Sequence, residues 1–166
     1  MTKIKVKFSF LVFNALIFMF RDAEFISAFY IACISHEMGH IIALKITGSE
    51  LKSIEFSCSG IKMTASPYTS IKSGIFVLMS GVAVNFILYT LMRLCGISGY
   101  MPLFNMAEGL FNLLPYSMLD GGAVLNLIAE GNIYEQTMKS VFFAVRMITS
   151  FVILLILCYN VTEYFL

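Results

Sequence analysis

Two histidines, the only two in the chain, stand one helical turn apart inside an apolar run. His36-Glu37-Met38-Gly39-His40 lies within the stretch from Phe25 to Ile46. At about 1.5 Å of rise per residue, a helix over that stretch is long enough to cross the ~30 Å core of a bilayer. A carboxylate placed there costs about 2.5–3.5 kcal/mol and normally faces a protein interior or a water-filled cavity. Residues four apart share a helix face, so His36 and His40 can hold one Zn²⁺, with Glu37 beside them as a base toward water. The fold must therefore shelter a polar patch inside an apolar layer.

The remainder of the chain is equally apolar. Hydrophobic residues make up 59% and charged residues 13%, against roughly half and a quarter in soluble domains. This composition predicts a polytopic membrane protein. A net charge of +1 gives no reason to expect nucleic acid or an acidic partner. Cys33, Cys58, Cys95 and Cys158 are scattered without zinc-site spacing and read as small apolar fillers.

Lys3, Lys5 and Lys7 precede the apolar stretch Phe8 to Phe20, which Arg21-Asp22-Ala23-Glu24 ends. No small-x-small cleavage pattern follows, so this reads as an uncleaved first membrane helix. Glu50 to Ser73 is the one extended polar section. Ile54 to Cys58 and Ile61 to Thr64 alternate apolar with polar around Ser59-Gly60, which predicts two short strands and a turn.

Gly74 to Cys95 is a further span containing Gly81 and Asn85. Alone, that glycine reads as close helix packing and that asparagine as one interhelical hydrogen bond. Leu103 to Ala129 is apolar but broken by Pro115 and by Asp120-Gly121-Gly122, and Val141 to Tyr164 is the last span. The expectation is an all-α polytopic membrane protein with about five transmembrane segments and a small membrane-associated β-hairpin. It forms one domain over 1–166, with a core at 25–129 and accessory helices at 8–22 and 141–164.

With the N-terminus cytoplasmic, that side receives Lys3, Lys5, Lys7, Lys45, Lys52, Lys62, Lys72, Lys139 and Arg146, and the other only Arg21 and Arg93. The positive-inside rule selects this orientation. His36, His40 and Asp120 then fall at similar depth, in the cytoplasmic half. A hydrolytic zinc site needs three protein ligands and an open position. No third histidine exists, so Asp120 is the best candidate by depth. Gly121-Gly122 is expected to free the backbone from helix and turn Asp120 toward the histidines.

HEMGH in a membrane helix, followed by Phe111-Asn112-Leu113-Leu114-Pro115 and Leu119-Asp120-Gly121-Gly122, resembles the site-2 protease family of intramembrane zinc metalloproteases. The wording is closest to a minimal bacterial sporulation-type member without PDZ or CBS domain. Gly81 to Asn85 is similar to a family pattern in which proline often follows the glycine; Val82 stands there here. The resemblance implies one zinc per chain on His36, His40 and Asp120, with Glu37 as general base. Asn85 and Asn112 would be secondary, holding substrate backbone or steadying the oxyanion. The section from Glu50 to Ser73 would be the hairpin that presents substrate as an added strand.

The function expected is hydrolysis of a peptide bond in or near a transmembrane segment, as in regulated intramembrane proteolysis. The substrate would be a single-span or membrane-associated protein, and a regulatory membrane protein is a possible further partner. The location expected is the bacterial cytoplasmic membrane. Two rivals are a catalytically silent membrane clamp that keeps the zinc site, and a metal transporter.

Overall fold

The computed structural model describes residues 3–57, 60–130 and 132–165, and over 154–165 it describes the backbone alone. Strand β1 (Lys3–Val6) leads into helices α1 (Phe8–Phe20) and α2 (Ala23–Thr47). Strands β2 (Leu51–Ser57) and β3 (Gly60–Ala65) follow, then helices α3 (Ile71–Leu94), α4 (Tyr100–Asn112), α5 (Asp120–Ala129) and α6 (Glu135–Phe165).

Local sequence sets the ends of the long helices. The Asp22 side chain accepts from the Phe25 amide at 2.8 Å and caps α2. Gly48, at φ 71, closes the helix in the left-handed region with its N–H on Leu44 and Lys45 carbonyls. Ser70 and Ser73 form a reciprocal capping box at the start of α3. Helices α2 and α3 are long and apolar enough to cross a membrane. The expected fourth span is instead two shorter helices, α4 and α5, separated by residues 113–119.

Small residues let α2 and α3 approach closely. A Cβ on Gly39 would lie 2.7 Å from the Ser80 carbonyl oxygen and 3.0 Å from the Gly81 Cα. No side chain fits between the two backbones there. Apart from Leu44, the buried residues include mostly small or polar ones: Ala28, Ala32, Ala43, Val77 and Val82, with His36, His40, Asn85 and Asn105. Large apolar residues such as Phe8, Met19, Phe20, Ile46 and Leu94 lie outside. Soluble proteins seldom expose contiguous apolar surface on this scale, so the distribution suits lipid surroundings.

The sheet corrects one expectation. The predicted hairpin forms, with β2 and β3 antiparallel, but β1 adds to it in parallel, Lys3 opposite Ser53 and Val6 opposite Phe56. The basic leader is therefore a strand. Lys3-Ile4-Lys5-Val6 has the same period-two alternation as β2, and the register aligns the two patterns. Ile4, Ile54 and Met63 share one face, as do Val6, Phe56 and Ile61; Lys5, Glu55 and Lys62 share the other. Lys7 joins Glu55 at 2.6 Å, and that cation holds the half-buried Glu55 carboxyl below the usual carboxylate range. Of the expected turn at Ser59-Gly60, Ser59 lies outside the described residues, as does Cys58. The sheet meets the helices where Leu51, Ala65 and Tyr68 pack on Ala43, Leu44 and Val77.

Candidate metal centre

The helical repeat places His36 and His40 on the buried face of α2. Each ring is fixed from behind. His36 Nδ1 lies 2.9 Å from Asn85 Oδ1, and His40 Nδ1 lies 2.8 Å from the Val77 carbonyl oxygen. Both partners are acceptors, so both Nδ1 atoms carry the hydrogen and both Nε2 atoms keep a lone pair. The Nε2 atoms face each other at 3.1 Å, and Asp120 Oδ2 lies 3.0 Å from one and 3.1 Å from the other.

In the neutral rings, two nitrogen lone pairs and a carboxylate oxygen thus converge. Such a cluster calls for a cation. Two imidazoles and one carboxylate are a ligand set that suits zinc, whose bonds of ~2.0–2.2 Å fit donors at this separation. Among the described residues, His36, His40 and Asp120 are the one group of three such side chains able to share an ion.

Gly81 completes the cradle. A Cβ there would stand 2.6 Å from His40 Nε2 and 2.7 Å from His36 Nε2, in the space beside the donors. Glycine is the residue that lets α3 pass so near the rings while Asn85, one turn on, reaches His36.

The break between α4 and α5 brings Asp120 in. Leu113 and Leu114 amides close the end of α4 on the Leu110 and Phe111 carbonyls, and Pro115 has no amide hydrogen to continue. Asp120 opens α5, where the helix dipole favours its negative charge. Here a second expectation is corrected. Gly121 and Gly122 are helical and do not release the chain. They let the first turn of α5 seat on the loop, because a Cβ on either would run into the Leu113 or Tyr116 carbonyl.

The other predicted residues are placed as follows. Glu37 is half-buried beside the cluster, within electrostatic reach of His36, His40 and Asp120. Asn85 is fully buried. Its position behind His36 is that of a ring-orienting group, with no atom open to a substrate. Its amide nitrogen points at the Ala32 carbonyl and at Asn105 Oδ1, each 3.5 Å away. Asn112 donates to the Glu108 carbonyl and carboxylate, both at 3.1 Å.

Sequence reasoning passed over Asn105, Gly39 and the Val77 carbonyl. Asn105 was readable as a polar residue in an apolar segment. Gly39 sits inside the motif itself. The Val77 carbonyl is a backbone atom, so no side-chain pattern announces it.

A cleft of about 640 Å³ is lined by Tyr68, Leu78, Ser117, Ala123, Asn126 and Leu127 among others. Ala123 lies one helical turn beyond Asp120. Burial and the Asp120 charge both push the Tyr68 phenol up.

Three comparisons bear on this geometry. The model of peptidase family M50 matches residues 94–157, a stretch that contains Asp120 and excludes the histidine pair. A protein of Synechocystis sp., named as a candidate zinc metalloprotease, is 30% identical over 111 residues. The alignment covers 60% of this chain and 29% of that relative, so the chain spans under a third of it. The solved site-2 protease from Methanocaldococcus jannaschii shares the fold, with a TM-score of 0.69 over 97% of this chain and 83% of that one, at 18% identity.

The fold is thus similar to that of a solved site-2 protease, and the C-terminal part of the chain is similar to peptidase family M50. The M50 match and the HEMGH motif fall on different segments, and folding brings them into one cluster.

Proposed function

We propose that the chain is an intramembrane zinc metalloprotease that hydrolyses a peptide bond in or beside a transmembrane segment of another membrane protein, in regulated intramembrane proteolysis. The observation that carries this is the convergence of His36 Nε2, His40 Nε2 and Asp120 Oδ2, all within 3.1 Å of one another, inside helices that present apolar surface outward.

His36, His40 and Asp120 would hold the ion. Zinc, when bound, supplies Lewis-acid chemistry that acidifies water and polarises a carbonyl. Asn85 and the Val77 carbonyl keep the two rings in the tautomer that offers Nε2. Glu37 takes a proton from the attacking water and returns it to the leaving amine nitrogen, so the carboxylate is regenerated. The substrate lies in the cleft past Tyr68 and α5. The polar side chains lining that cleft include Tyr68, Ser117 and Asn126, whereas Asn112, half-buried at the end of α4, is not among its lining residues.

A transmembrane substrate hides its amides in helical hydrogen bonds and must unwind before cleavage. The free edge of β3 offers partners to the released groups. The apolar face of the sheet rests at the bilayer surface, on the cytoplasmic side of a bacterial membrane, and a cytoplasmic fragment is released.

The test is Glu37→Gln in the full chain, reconstituted with a single-span substrate. Cleavage is expected to vanish while zinc content stays at one per chain. Cleavage at the unmodified rate refutes Glu37 as base. Substrate binding without product from the unmodified protein would instead support a silent clamp.

A further inference from the structure

The last helix carries a guanidinium that this chemistry does not use. Arg146 lies in α6, where a charged side chain in an apolar helix is costly and is kept for a purpose. Its Nε donates to the Pro115 carbonyl oxygen at 2.5 Å, and its Nη2 donates to Asn126 Oδ1 at 3.1 Å. The Tyr116 and Ser150 hydroxyls, 2.6 Å apart, make a second link one turn further along α6.

The two acceptors belong to different pieces. Pro115 is in the break between α4 and α5, and Asn126 is in α5. The Pro115 carbonyl lies outside any helix and lacks an intrahelical donor. At membrane depth such a group must find one. A planar fork of donors serves both acceptors at once, which an ammonium cannot do as well.

Loop and helix are also seated on each other, through Gly121 and Gly122 against the Leu113 and Tyr116 carbonyls. A loop that drifts from α6 therefore carries the start of α5 with it, and Asp120 opens α5. His36 and His40 sit on α2 and are fixed by α3, so they would not follow.

We propose that Arg146 is a positioning residue for the metal site. It locks the 113–119 loop to α5 so that Asp120 meets the two histidines, and this makes α6 part of the site and not an accessory helix. The inference rests on His36, His40 and Asp120 being metal ligands.

The experiment measures zinc affinity by chelator competition, and the visible spectrum of the Co²⁺ form, on the full chain in nanodiscs. Thermal unfolding is followed in parallel. Arg146→Gln is expected to weaken zinc binding by about tenfold, the low end of the loss seen when a group bonded directly to a ligand is removed, and to change the Co²⁺ spectrum. Arg146→Lys keeps the charge without the fork and should fall between Arg146→Gln and the unmodified protein. Ile148→Ala, an exposed position on the same helix, should leave zinc affinity unchanged.

A folded Arg146→Gln protein with unmodified zinc affinity overturns the inference, even if its melting temperature drops. If Arg146→Gln does not fold, Arg146→Lys and Asn126→Leu carry the test, and unmodified affinity in both overturns it. An unmodified protein that binds no zinc overturns the metal-site reading itself.

Discussion

Replacing Gly81 by alanine adds one methyl group, at the point where the structure has least room. Its carbon would lie 2.6 Å from His40 Nε2, 2.7 Å from His36 Nε2 and 2.8 Å from His36 Cε1. Ordinary contact begins near 3.4 Å. The shortfall is therefore 3.4 − 2.6 = 0.8 Å at His40 and 3.4 − 2.7 = 0.7 Å at His36. Neither ring yields cheaply, because one is held by Asn85 and the other by the Val77 carbonyl. Metal ligands tolerate only about ±0.2 Å. Displacements several times that size should weaken zinc binding by on the order of 100-fold, or about 2.7 kcal/mol.

Helix propensity works in the opposite direction, since alanine favours a helix interior over glycine by about 1 kcal/mol. Loss of zinc from a protein with intact helicity is thus attributable to the rings. Gly81→Ala would be assayed by chelator competition and circular dichroism on the reconstituted chain. Zinc affinity equal to the unmodified protein would refute the close approach of α3 to the imidazoles.

Gly39→Ala should force α2 and α3 apart, because its Cβ would meet the Ser80 carbonyl, which cannot rotate away. A lower melting temperature together with weaker zinc binding is the expected outcome. Asn85→Leu removes the acceptor for the buried His36 Nδ1–H, and an unsatisfied buried donor costs about 1–3 kcal/mol. Zinc affinity should fall by about tenfold or more, while Asn85→Asp, which keeps an acceptor, should lose less. The Glu55 carboxyl is held low by Lys7 in the folded chain. Its contribution is therefore present above the unfolded pKa of about 4.3 and is lost as pH falls through the lower folded value. Amide exchange in β1 should rise on acidification below that point, and Lys7→Ala should raise the Glu55 pKa toward the ordinary carboxylate range by NMR titration. High salt should shrink this effect, because Lys7 is exposed.

Much of the site was legible because its first half is local. The spacing of His36 and His40 fixes both on one face of any α-helix. The cost of burying Glu37 in an apolar run pointed to a sheltered polar site. Asp120 was reachable from the depth argument alone, since the chain offers no third histidine. The hairpin was legible from two alternating runs, and β1 was missed because a basic leader before an apolar helix has a competing reading as a topogenic signal.

What sequence could not decide was how separate segments meet. Gly121 and Gly122 are permissive of many conformations, and only packing shows that they are helical, kept small by the carbonyls of Leu113 and Tyr116. Asn85 suits either a substrate contact or a helix contact, and its burial against His36 selects the second. The Val77 carbonyl that orients His40 has no side-chain signature at all. One-dimensional spacing determines which side chains share a face, because helix geometry is a property of neighbours along the chain. Three donors within 3.1 Å require two backbones to approach where a single methyl group would hold them apart. That approach is a property of the tertiary structure alone.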